Sequence, residues 1–258
     1  MKQIPNLFTL LNLVFGCLAI IFILQNGEQI VLLGPDGASN VNLPEKITWG
    51  SYCIFAAAII DFLDGFLARL FKATSEMGKQ LDSLSDVVSF GVAPAMILYQ
   101  LLRIGFAQQE NGLDTSIVWL LPALLIPVAG AWRLARFNID LEQTYFFRGL
   151  PIPAAGLFIA ALPLIIWYPD AAFGLQVYLI NQWVLFAIIV LLSSLMVSSL
   201  PLISLKFSDY SLQNNLPKYL VILLAIIALI FLKWLALPII IILYVILSLA
   251  FRNRKILL

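Results

Sequence analysis

The sequence contains no histidine, only two cysteines and few charged residues among its 258 residues. Without histidine, the common Ser-His and Cys-His nucleophile pairs and histidine-ligated zinc sites are excluded. Cys17 and Cys53 lie in apolar segments without metal-ligand spacing, so we expect them to be small buried hydrophobic residues. Charged residues make up 11% of the chain, the formal net charge is +1, and the basic residues are dispersed. A nucleic acid partner is therefore not expected.

Apolar residues dominate what is present, since 62% of the chain is hydrophobic and the mean hydropathy is +1.00. These values lie far outside the range of soluble globular domains and indicate an integral membrane protein. Stretches able to cross a hydrocarbon core of roughly 30 Å are expected near residues 7–25, 47–71, 80–104, 117–138, 150–168, 181–199, 217–232 and 234–250. The last two are short and meet at Lys233, so the count is seven or eight.

The distribution of lysine and arginine sets the orientation of these spans. The first span lacks a small-residue cleavage site and contains three polar side chains, so it is expected to be a retained helix rather than a signal peptide. With the N-terminus inside, every basic residue except Lys46, Arg103 and Lys233 falls on the cytoplasmic side. The sequence predicts an all-α integral membrane bundle of about eight transmembrane helices with both termini cytoplasmic. A multi-pass location in the inner (plasma) membrane is expected.

One segment concentrates carboxylates within this apolar sequence. From Asp61 it reads D-F-L-D-G-F-L-A-R, and after eight residues it continues G-K-Q-L-D-S-L-S-D to Asp86. At about 100° per residue on a helix, Asp61 and Asp64 share one face, and Asp82 and Asp86 share another. Two short helical faces at the cytoplasmic ends of the second and third spans therefore carry two acids each.

Four neighbouring carboxylates at membrane depth would repel one another unless they are partly protonated or neutralised by cations. Oxygen ligands favour hard divalent ions such as Mg²⁺, Mn²⁺ or Ca²⁺, and a pair of such ions suits phosphoryl transfer. Gly65 and Ala68 leave the helix surface bare, so a diphosphate could approach closely, and Arg69 with Lys72 or Lys79 offers positive partners. The plainer alternatives are a structural ion-pair network or an ion-conduction path, which two interleaved glycines and an arginine in this register make harder to accept.

Eight residues of this segment match in full a pattern that resembles the signature of the CDP-alcohol phosphatidyltransferase family, D-x2-D-G-x2-A-R-x8-G-x3-D-x3-D: Asp61, Asp64, Gly65, Ala68, Arg69, Gly78, Asp82 and Asp86. The resemblance implies a cytoplasm-facing membrane enzyme with a six-helix core, usually a homodimer, in which an alcohol displaces CMP from a CDP-linked lipid. It also implies that the four aspartates hold two divalent metal ions and that Asp86 serves as base.

Flanking segments resemble the phosphatidylserine synthase branch of that family. They begin at Ile4 (I-P-N-L-F-T-L-L-N-L), Ser85 (S-D-V-V-S-F-G-V-A-P-A), Arg133 (R-L-A-R-F-N) and Phe147 (F-R-G-L-P-I-P-A-A-G). The resemblance implies CDP-diacylglycerol and L-serine as substrates. It places the nucleotide lipid beside Pro5, Asn6, Thr9, Asn12, Asp61, Gly65, Ala68, Arg69, Ser75 and Gly78, and the serine beside Arg133, Arg136, Asn138 and Arg148. Arg136 or Arg148 is the expected ligand of the serine carboxylate.

Plainer roles stay open for several of these residues. Asn6, Thr9 and Asn12 could hydrogen-bond a neighbouring helix, Pro5 suits a helix start, and Arg133 could simply favour the helix C-terminus. The acceptor could instead be glycerol 3-phosphate, inositol, its phosphate or choline. From other classes, a divalent-cation transporter or an interaction scaffold remains. We expect residues 1–200 to form the catalytic membrane domain, and 201–258 a cytoplasmic loop with two additional C-terminal spans. The polar connection at 26–46 is expected to be an external surface loop.

Overall fold

The computed structural model describes residues 4–25, 27, 29–34, 37–42, 46–71, 75–109, 114–139, 147–168, 174–202 and 212–250. Ten α-helices and four short strands lie in these ranges. In chain order they are α1 (Ile4–Leu24), β1 (Gln29–Gly34), β2 (Gly37–Asn42), α2 (Ile47–Leu70), α3 (Glu76–Asp86), α4 (Ala93–Ala107), α5 (Leu125–Ile139), β3 (Phe147–Arg148), α6 (Ile152–Trp167), α7 (Gln176–Leu179), α8 (Gln182–Val197), β4 (Pro201–Leu202), α9 (Leu212–Leu232) and α10 (Ala236–Ala250).

Helix α1 has α2 and α3 as neighbours, and the three bring the acidic segment together. The Lys46 amide donates to the Gln25 carbonyl at 3.2 Å, so the end of α1 meets the start of α2 and the two helices are antiparallel. Ser85 and Ser89 donate to the carbonyls of Thr9 and Asn12 at 3.1 and 3.0 Å, so α1 and α3 run in the same direction. The end of α2 and the whole of α3 therefore lie at the end of the bundle where α1 begins.

A π-helical segment, Val87–Val92, joins α3 to α4 without a break. The Ala93 amide donates to the Val88 carbonyl, five residues back, rather than four. Pro94 comes shortly after this segment, and because proline has no N–H and its ring clashes with the preceding turn, the regular i, i+4 hydrogen-bond pattern is interrupted here. Close packing holds the segment in place, since a Cβ on Gly91 would lie 3.2 Å from the Cα of Pro127.

The remaining central helices pack around this continuous rod through glycines. A Cβ on Gly156 of α6 would lie 3.0 Å from the Phe90 backbone, so α6 crosses the rod at van der Waals distance. Gly149 has φ 75° and lies against carbonyl oxygens at the end of α8, with its amide bonded to Leu200 at 2.9 Å. Only glycine adopts this left-handed conformation at low cost, so Gly149 fixes the corner where β3 pairs with β4.

Helices α9 and α10 form the last pair and pack against each other. They meet at the 3₁₀ turn Lys233–Leu235, in which Lys233 has φ 48°. The inner surface of α10 packs on α6 and β4, so the pair is joined to the bundle rather than separate from it. The junction predicted at Lys233 is thus present.

Within the described ranges, four helical segments are long and apolar enough to cross a membrane: Pro5–Leu24, Glu76–Ala107, Ile117–Ile139 and Tyr219–Ala250. Helices α6 and α8 are apolar but shorter. These helices confirm the prediction of a helical integral membrane protein, while the count of eight spans and the orientation of the termini stay predictions.

Two predictions about this fold are wrong. Residues 26–46 were expected to form a loop, but β1 and β2 pair in antiparallel register from Gln29 with Asn42 to Gly34 with Gly37. The apolar run in β1 and the G-P-D-G sequence that follows it are typical of a hairpin. Cys17 was expected to be buried but is exposed, because it lies on the outer face of α1, and Cys53 is only half-buried.

Candidate active site

The four aspartates of the motif lie together at one end of the bundle. Asp61 and Asp64 lie in the second half of α2, and Asp82 and Asp86 lie on α3. One carboxylate oxygen from each of Asp61, Asp64 and Asp82 lies within 4.8 Å of the others. That spacing is suitable for three oxygen ligands around one divalent cation.

Burial makes an uncompensated cluster of acids costly. Asp64 and Asp86 are 5% and 6% exposed, and one buried carboxylate oxygen of each has no hydrogen-bond partner in the described part of the chain. Buried polar atoms are nearly always paired, so these oxygens indicate a missing ligand. The residues present fit a hard divalent cation, because the donors are all carboxylate oxygens and their negative charges converge.

Asp86 has surroundings that differ from those of the other three acids. It interacts electrostatically with Asp61, Asp82 and Asp64, but is not a member of the close triad. Asn12 of α1 lies beside it, fully buried, and its amide atoms make no hydrogen bond of good geometry with the described residues. Asp86 therefore differs from the other three acids in that it does not line the open side of the cluster.

The start of α3 forms the rim opposite α2. Ser75 caps this helix, and its hydroxyl accepts a hydrogen bond from the Gly78 amide at 3.0 Å. A Cβ on Gly78 would lie 3.0 Å from the Asn6 side-chain oxygen, so the glycine allows α1 and α3 to approach closely. Thr9 uses its hydroxyl to donate to the Pro5 carbonyl at 3.1 Å, within its own helix.

Gly65 has no such packing role. A Cβ built on this residue would have no atom within 4 Å, other than those of its own turn and its chain neighbours. Gly65 is exposed within α2, where glycine weakens a helix by about 1 kcal/mol relative to alanine. Neither packing nor backbone conformation therefore explains the glycine, whereas access for a ligand does.

An open cavity of about 850 Å³ lies between α1, α2 and α3. Nine of the ten residues predicted to contact the nucleotide lipid line it; only Asn12 lies deeper, behind the surface. The lining residues are Pro5, Asn6, Thr9, Asp61, Asp64, Gly65, Ala68, Arg69, Ser75, Glu76, Gly78, Lys79 and Asp82. Three of the four aspartates thus face one volume large enough for a substrate.

The residues predicted to bind serine are less closely grouped. Arg133 and Arg136 line a separate small cavity of about 10 Å³ between α5 and α8, large enough for one water molecule. Arg133 is 8% exposed and interacts electrostatically with Asp86, so it approaches the acids from the side of α5. The side chain of Arg148 lies outside the described residues, as does Lys72.

Asn138 has a structural role that the sequence did not indicate. Its amide donates to the Ser83 hydroxyl at 2.9 Å, and Lys79 donates to the Asn138 carbonyl at 3.4 Å. These contacts attach the end of α5 to the outer side of α3. The side-chain amide of Asn138 therefore already uses one of its N–H donors in a contact within the protein.

Two further residues near the site were not predicted. Glu76 lines the large cavity, and its position directly after the capping Ser75 could have indicated this. Tyr244 of α10 interacts electrostatically with Arg133. No motif surrounds Tyr244 in the apolar sequence of α10, so only the packing of the helices reveals it.

Comparison with known proteins is consistent with this geometry. The CDP-alcohol phosphatidyltransferase family model matches residues 2–198. CDP-diacylglycerol–serine O-phosphatidyltransferase of Bacillus subtilis is 32% identical over 162 residues, which cover 63% of this chain and 76% of that protein. The enzyme of the same name from Helicobacter pylori strain J99 is 34% identical over 163 residues, covering 62% and 57% of the two chains. Archaetidylserine synthase of Methanothermobacter thermautotrophicus is 32% identical over 169 residues, covering 65% and 60%.

The matched region contains all four aspartates, the cavity and both arginines of α5. It ends at residue 198, before α9 and α10 begin. This chain belongs to the CDP-alcohol phosphatidyltransferase family.

Proposed function

We propose that this protein is a phosphatidylserine synthase, which transfers the phosphatidyl group of CDP-diacylglycerol to the hydroxyl of L-serine and releases CMP. The observation that carries the proposal is the convergence of three carboxylates on an open cavity beside the bare surface of Gly65. The serine phosphatidyltransferase names of the relatives from Bacillus and Helicobacter support the choice of acceptor.

The diphosphate of CDP-diacylglycerol is proposed to lie in the large cavity, above Gly65 and Ala68. Arg69 and Lys79 line this cavity and can neutralise phosphate oxygens that face away from the acids. Exposed apolar side chains are the sequence neighbours of residues that line the cavity: Leu7 follows Asn6, Phe62 follows Asp61 and Phe66 follows Gly65, at 63, 67 and 48% exposure. The acyl chains can therefore leave the cavity directly into the bilayer.

Two divalent cations, Mg²⁺ or Mn²⁺ and alternatively Ca²⁺, are proposed to occupy the acidic cluster. Asp61, Asp64 and Asp82 would hold one, and Asp86 would share the second with its neighbours. When bound, such ions neutralise phosphate charge and stabilise the charge that develops on departing CMP. The close triad and the unpaired oxygens of Asp64 and Asp86 support this assignment.

Asp86 is proposed to act as the general base. The serine hydroxyl gives its proton to Asp86, its oxygen forms a bond to the phosphorus that carries diacylglycerol, and the bond from that phosphorus to the CMP oxygen breaks. The products are phosphatidylserine and CMP. Because the sequence contains no histidine to activate a protein nucleophile, a single displacement is favoured.

Arg136 or Arg148 is proposed to bind the serine carboxylate, and Arg133 and Asn138 are proposed to complete the serine site. Their supporting feature is position, because Arg133 interacts electrostatically with Asp86 and neither residue lines the lipid cavity. Serine bound there would approach the phosphorus from the protein interior, while the lipid occupies the open side.

The eight-span topology, the cytoplasmic active site in the inner membrane and the homodimer are also proposals. A variant lacking Cys17 and Cys53 would provide a background for single cysteines at Asn40 and Asn214. An impermeant thiol reagent added to intact cells should label the first and not the second. Equal labelling of both positions would contradict the proposed orientation.

The activity itself is tested by CMP release from the purified protein in detergent. CDP-diacylglycerol and Mn²⁺ or Mg²⁺ are supplied with L-serine, glycerol 3-phosphate, inositol or choline. Serine-dependent and metal-dependent release supports the proposal, while release with another acceptor alone would contradict the choice of serine. No release with any acceptor would favour the divalent-cation transporter.

A further inference from the structure

A ring of hydrogen bonds joins the last turn of α5 to α3. The side-chain amide of Asn138 donates to the Ser83 hydroxyl at 2.9 Å, and this hydroxyl donates to the Lys79 carbonyl at 3.1 Å. The Lys79 ammonium closes the ring by donating to the Asn138 carbonyl at 3.4 Å. Because Lys79 also lines the lipid cavity, the ring lies beside the place proposed for the diphosphate.

The ring fixes which way round the Asn138 amide is held. A hydroxyl has a single proton to donate, and Ser83 gives that proton to the Lys79 carbonyl. Ser83 can therefore only accept from Asn138, so the amide turns its NH₂ group and not its oxygen toward Ser83. The amide oxygen takes no part in the ring. It is left as a hydrogen-bond acceptor for a ligand that has an N–H or O–H donor.

Ser83 also brings this amide close to Asp86. The two residues are three positions apart on α3, so they lie on adjacent turns with an axial separation of about 4.5 Å. The Asn138 amide nitrogen is 2.9 Å from the Ser83 hydroxyl, which places the amide near the proposed base. Serine carries its hydroxyl and its ammonium group on neighbouring carbon atoms. One serine molecule can therefore reach both Asp86 and Asn138.

Helix α5 is held in the bundle by close packing as well as by this ring. A Cβ on Gly91 of the π-helical segment would lie 3.2 Å from the Cα of Pro127, and Gly130 lies directly against Ile152 of α6. Both contacts fall in the first half of α5. The ring at the last turn therefore adds a fixed orientation of one amide to an attachment that packing already provides.

We propose that Asn138 recognises the ammonium group of the amino-acid acceptor through its amide oxygen, and that Ser83 is a positioning residue that holds the amide in this orientation. The inference rests on the proposed function, since it takes the acceptor to be serine, and it names the chemical group that Asn138 binds. Glycerol 3-phosphate and inositol have no ammonium group, and the quaternary nitrogen of choline has no N–H to donate. A hydrogen bond to Asn138 therefore favours serine over each of them.

The first test compares Ser83→Ala with Ser83→Thr in the full-length enzyme. Ser83→Ala removes the hydroxyl that orients the amide and should raise the KM for serine about tenfold, since a hydrogen bond to a charged group is weakened. Ser83→Thr keeps a hydroxyl that can bond the carbonyl four residues back, so its serine KM should stay within about twofold of the unaltered value. The KM for CDP-diacylglycerol should change less than about twofold in both variants.

Ser51→Ala is the matched control. Ser51 also donates to the carbonyl four residues back, at 3.5 Å, but it lies near the start of α2, at the opposite end of the bundle from the acids. The replacement removes the same kind of hydroxyl from a helix. It should change neither KM value by more than about twofold.

A serine analogue tests recognition of the ammonium group itself. 3-Hydroxypropanoate has the hydroxyl and the carboxylate of serine but no ammonium group, and it is added as a competitor of serine in the CMP-release measurement. Asn138→Leu should raise the KM for serine about tenfold or more, because the bond to the ammonium group is lost. The inhibition constant of 3-hydroxypropanoate should agree within about twofold among Asn138→Leu, Ser83→Ala and the unaltered enzyme.

Three results would count against the inference. An unchanged serine KM in Ser83→Ala, a serine KM in Ser83→Thr as high as that in Ser83→Ala, or a loss of 3-hydroxypropanoate binding as large as the loss for serine would each overturn it while leaving the synthase function intact. Absence of serine-dependent CMP release from the unaltered enzyme would overturn the proposed function and the inference together.

Discussion

The two ends of the bundle both contain buried polar groups, but only one end satisfies them. At the end of the bundle where α1 ends, Gln100 of α4 donates to the Ile23 carbonyl at 3.3 Å and accepts from Arg103 at 3.1 Å. At the other end, Asn12, Asp64, Asp86 and Arg133 all have buried atoms without good partners in the described chain.

This difference distinguishes polar residues whose hydrogen bonds stabilise the fold from polar residues whose unpaired atoms can bind a ligand. A satisfied group such as Gln100 joins two helices and needs nothing else. The unsatisfied groups are of both charges and surround one region, which is what a metal-bound diphosphate and a zwitterionic acceptor require. Four experiments can sharpen or break this distinction.

The largest effects are expected from the acids themselves. Asp86→Asn should lower kcat by about 10²- to 10⁴-fold, because the general base is removed. Part of the CDP-diacylglycerol binding should survive in this variant, whereas Asp61→Asn should impair binding and turnover together. CMP release and binding of the nucleotide lipid are measured in parallel. Activity of Asp86→Asn equal to that of the unaltered enzyme would remove the base assignment.

Divalent metal should raise the free energy of unfolding by binding at the acidic end. A variant at the other end of the bundle should leave this effect of metal unchanged. Mn²⁺ at 100 times its dissociation constant should stabilise the protein by about 2.7 kcal/mol for a single site, and chelation should reverse the gain. Thermal unfolding in detergent measures the shift. Asp64→Asn should reduce it, while Gln100→Leu should retain it in full. Loss of the metal response in Gln100→Leu would show that the two ends are not independent.

Glycines provide a second contrast between binding and packing. Gly65→Ala should lower kcat/KM while leaving the melting temperature unchanged or slightly higher, since alanine favours the helix by about 1 kcal/mol. Gly156→Ala should instead destabilise by about 1–3 kcal/mol, because its Cβ would press on the Phe90 backbone. Melting temperature and CMP release are compared for both variants. The contrast fails if Gly65→Ala retains full activity.

The smallest effect is expected at the satisfied end. Gln100→Leu should cost about 1 kcal/mol of stability, through loss of the hydrogen bond to α1. Its kcat/KM should stay within about twofold of the unaltered value, because the replaced group lies far along the rod from the acids. A large loss of activity with a normal melting temperature would mean that this end also takes part in the reaction.

The grouping of the aspartates could be predicted from the sequence because it depends on the spacing of residues within single helices. The i, i+3 and i, i+4 spacings place Asp61 with Asp64, and Asp82 with Asp86, on common helical faces before any fold is known. The structure also places Asn6 and Thr9 of α1 on the cavity that Asp61, Asp64 and Asp82 line. Their proposed contacts with substrate stay predictions.

Pairings between distant segments could not be predicted. Asn138 and Ser83 are 55 residues apart, and nothing in either neighbourhood indicates the bond between them. Tyr244 likewise lies in apolar sequence whose only visible function is to span the bilayer. The β1–β2 hairpin was missed because its polar second strand and its glycines resemble a loop in composition.

The π-helical segment between Asp86 and Pro94 has a consequence for how the rod is built. A π turn holds one residue more than an α turn, so the residues on either side are offset by the angle of one residue, about 100°. The half of the rod that carries Asp82 and Asp86 and the half that packs in the core can therefore face different directions. Each half keeps its own helical periodicity. The one extra residue of the π turn lets the aspartates of α3 face the acidic cluster while the apolar residues of α4 face the core.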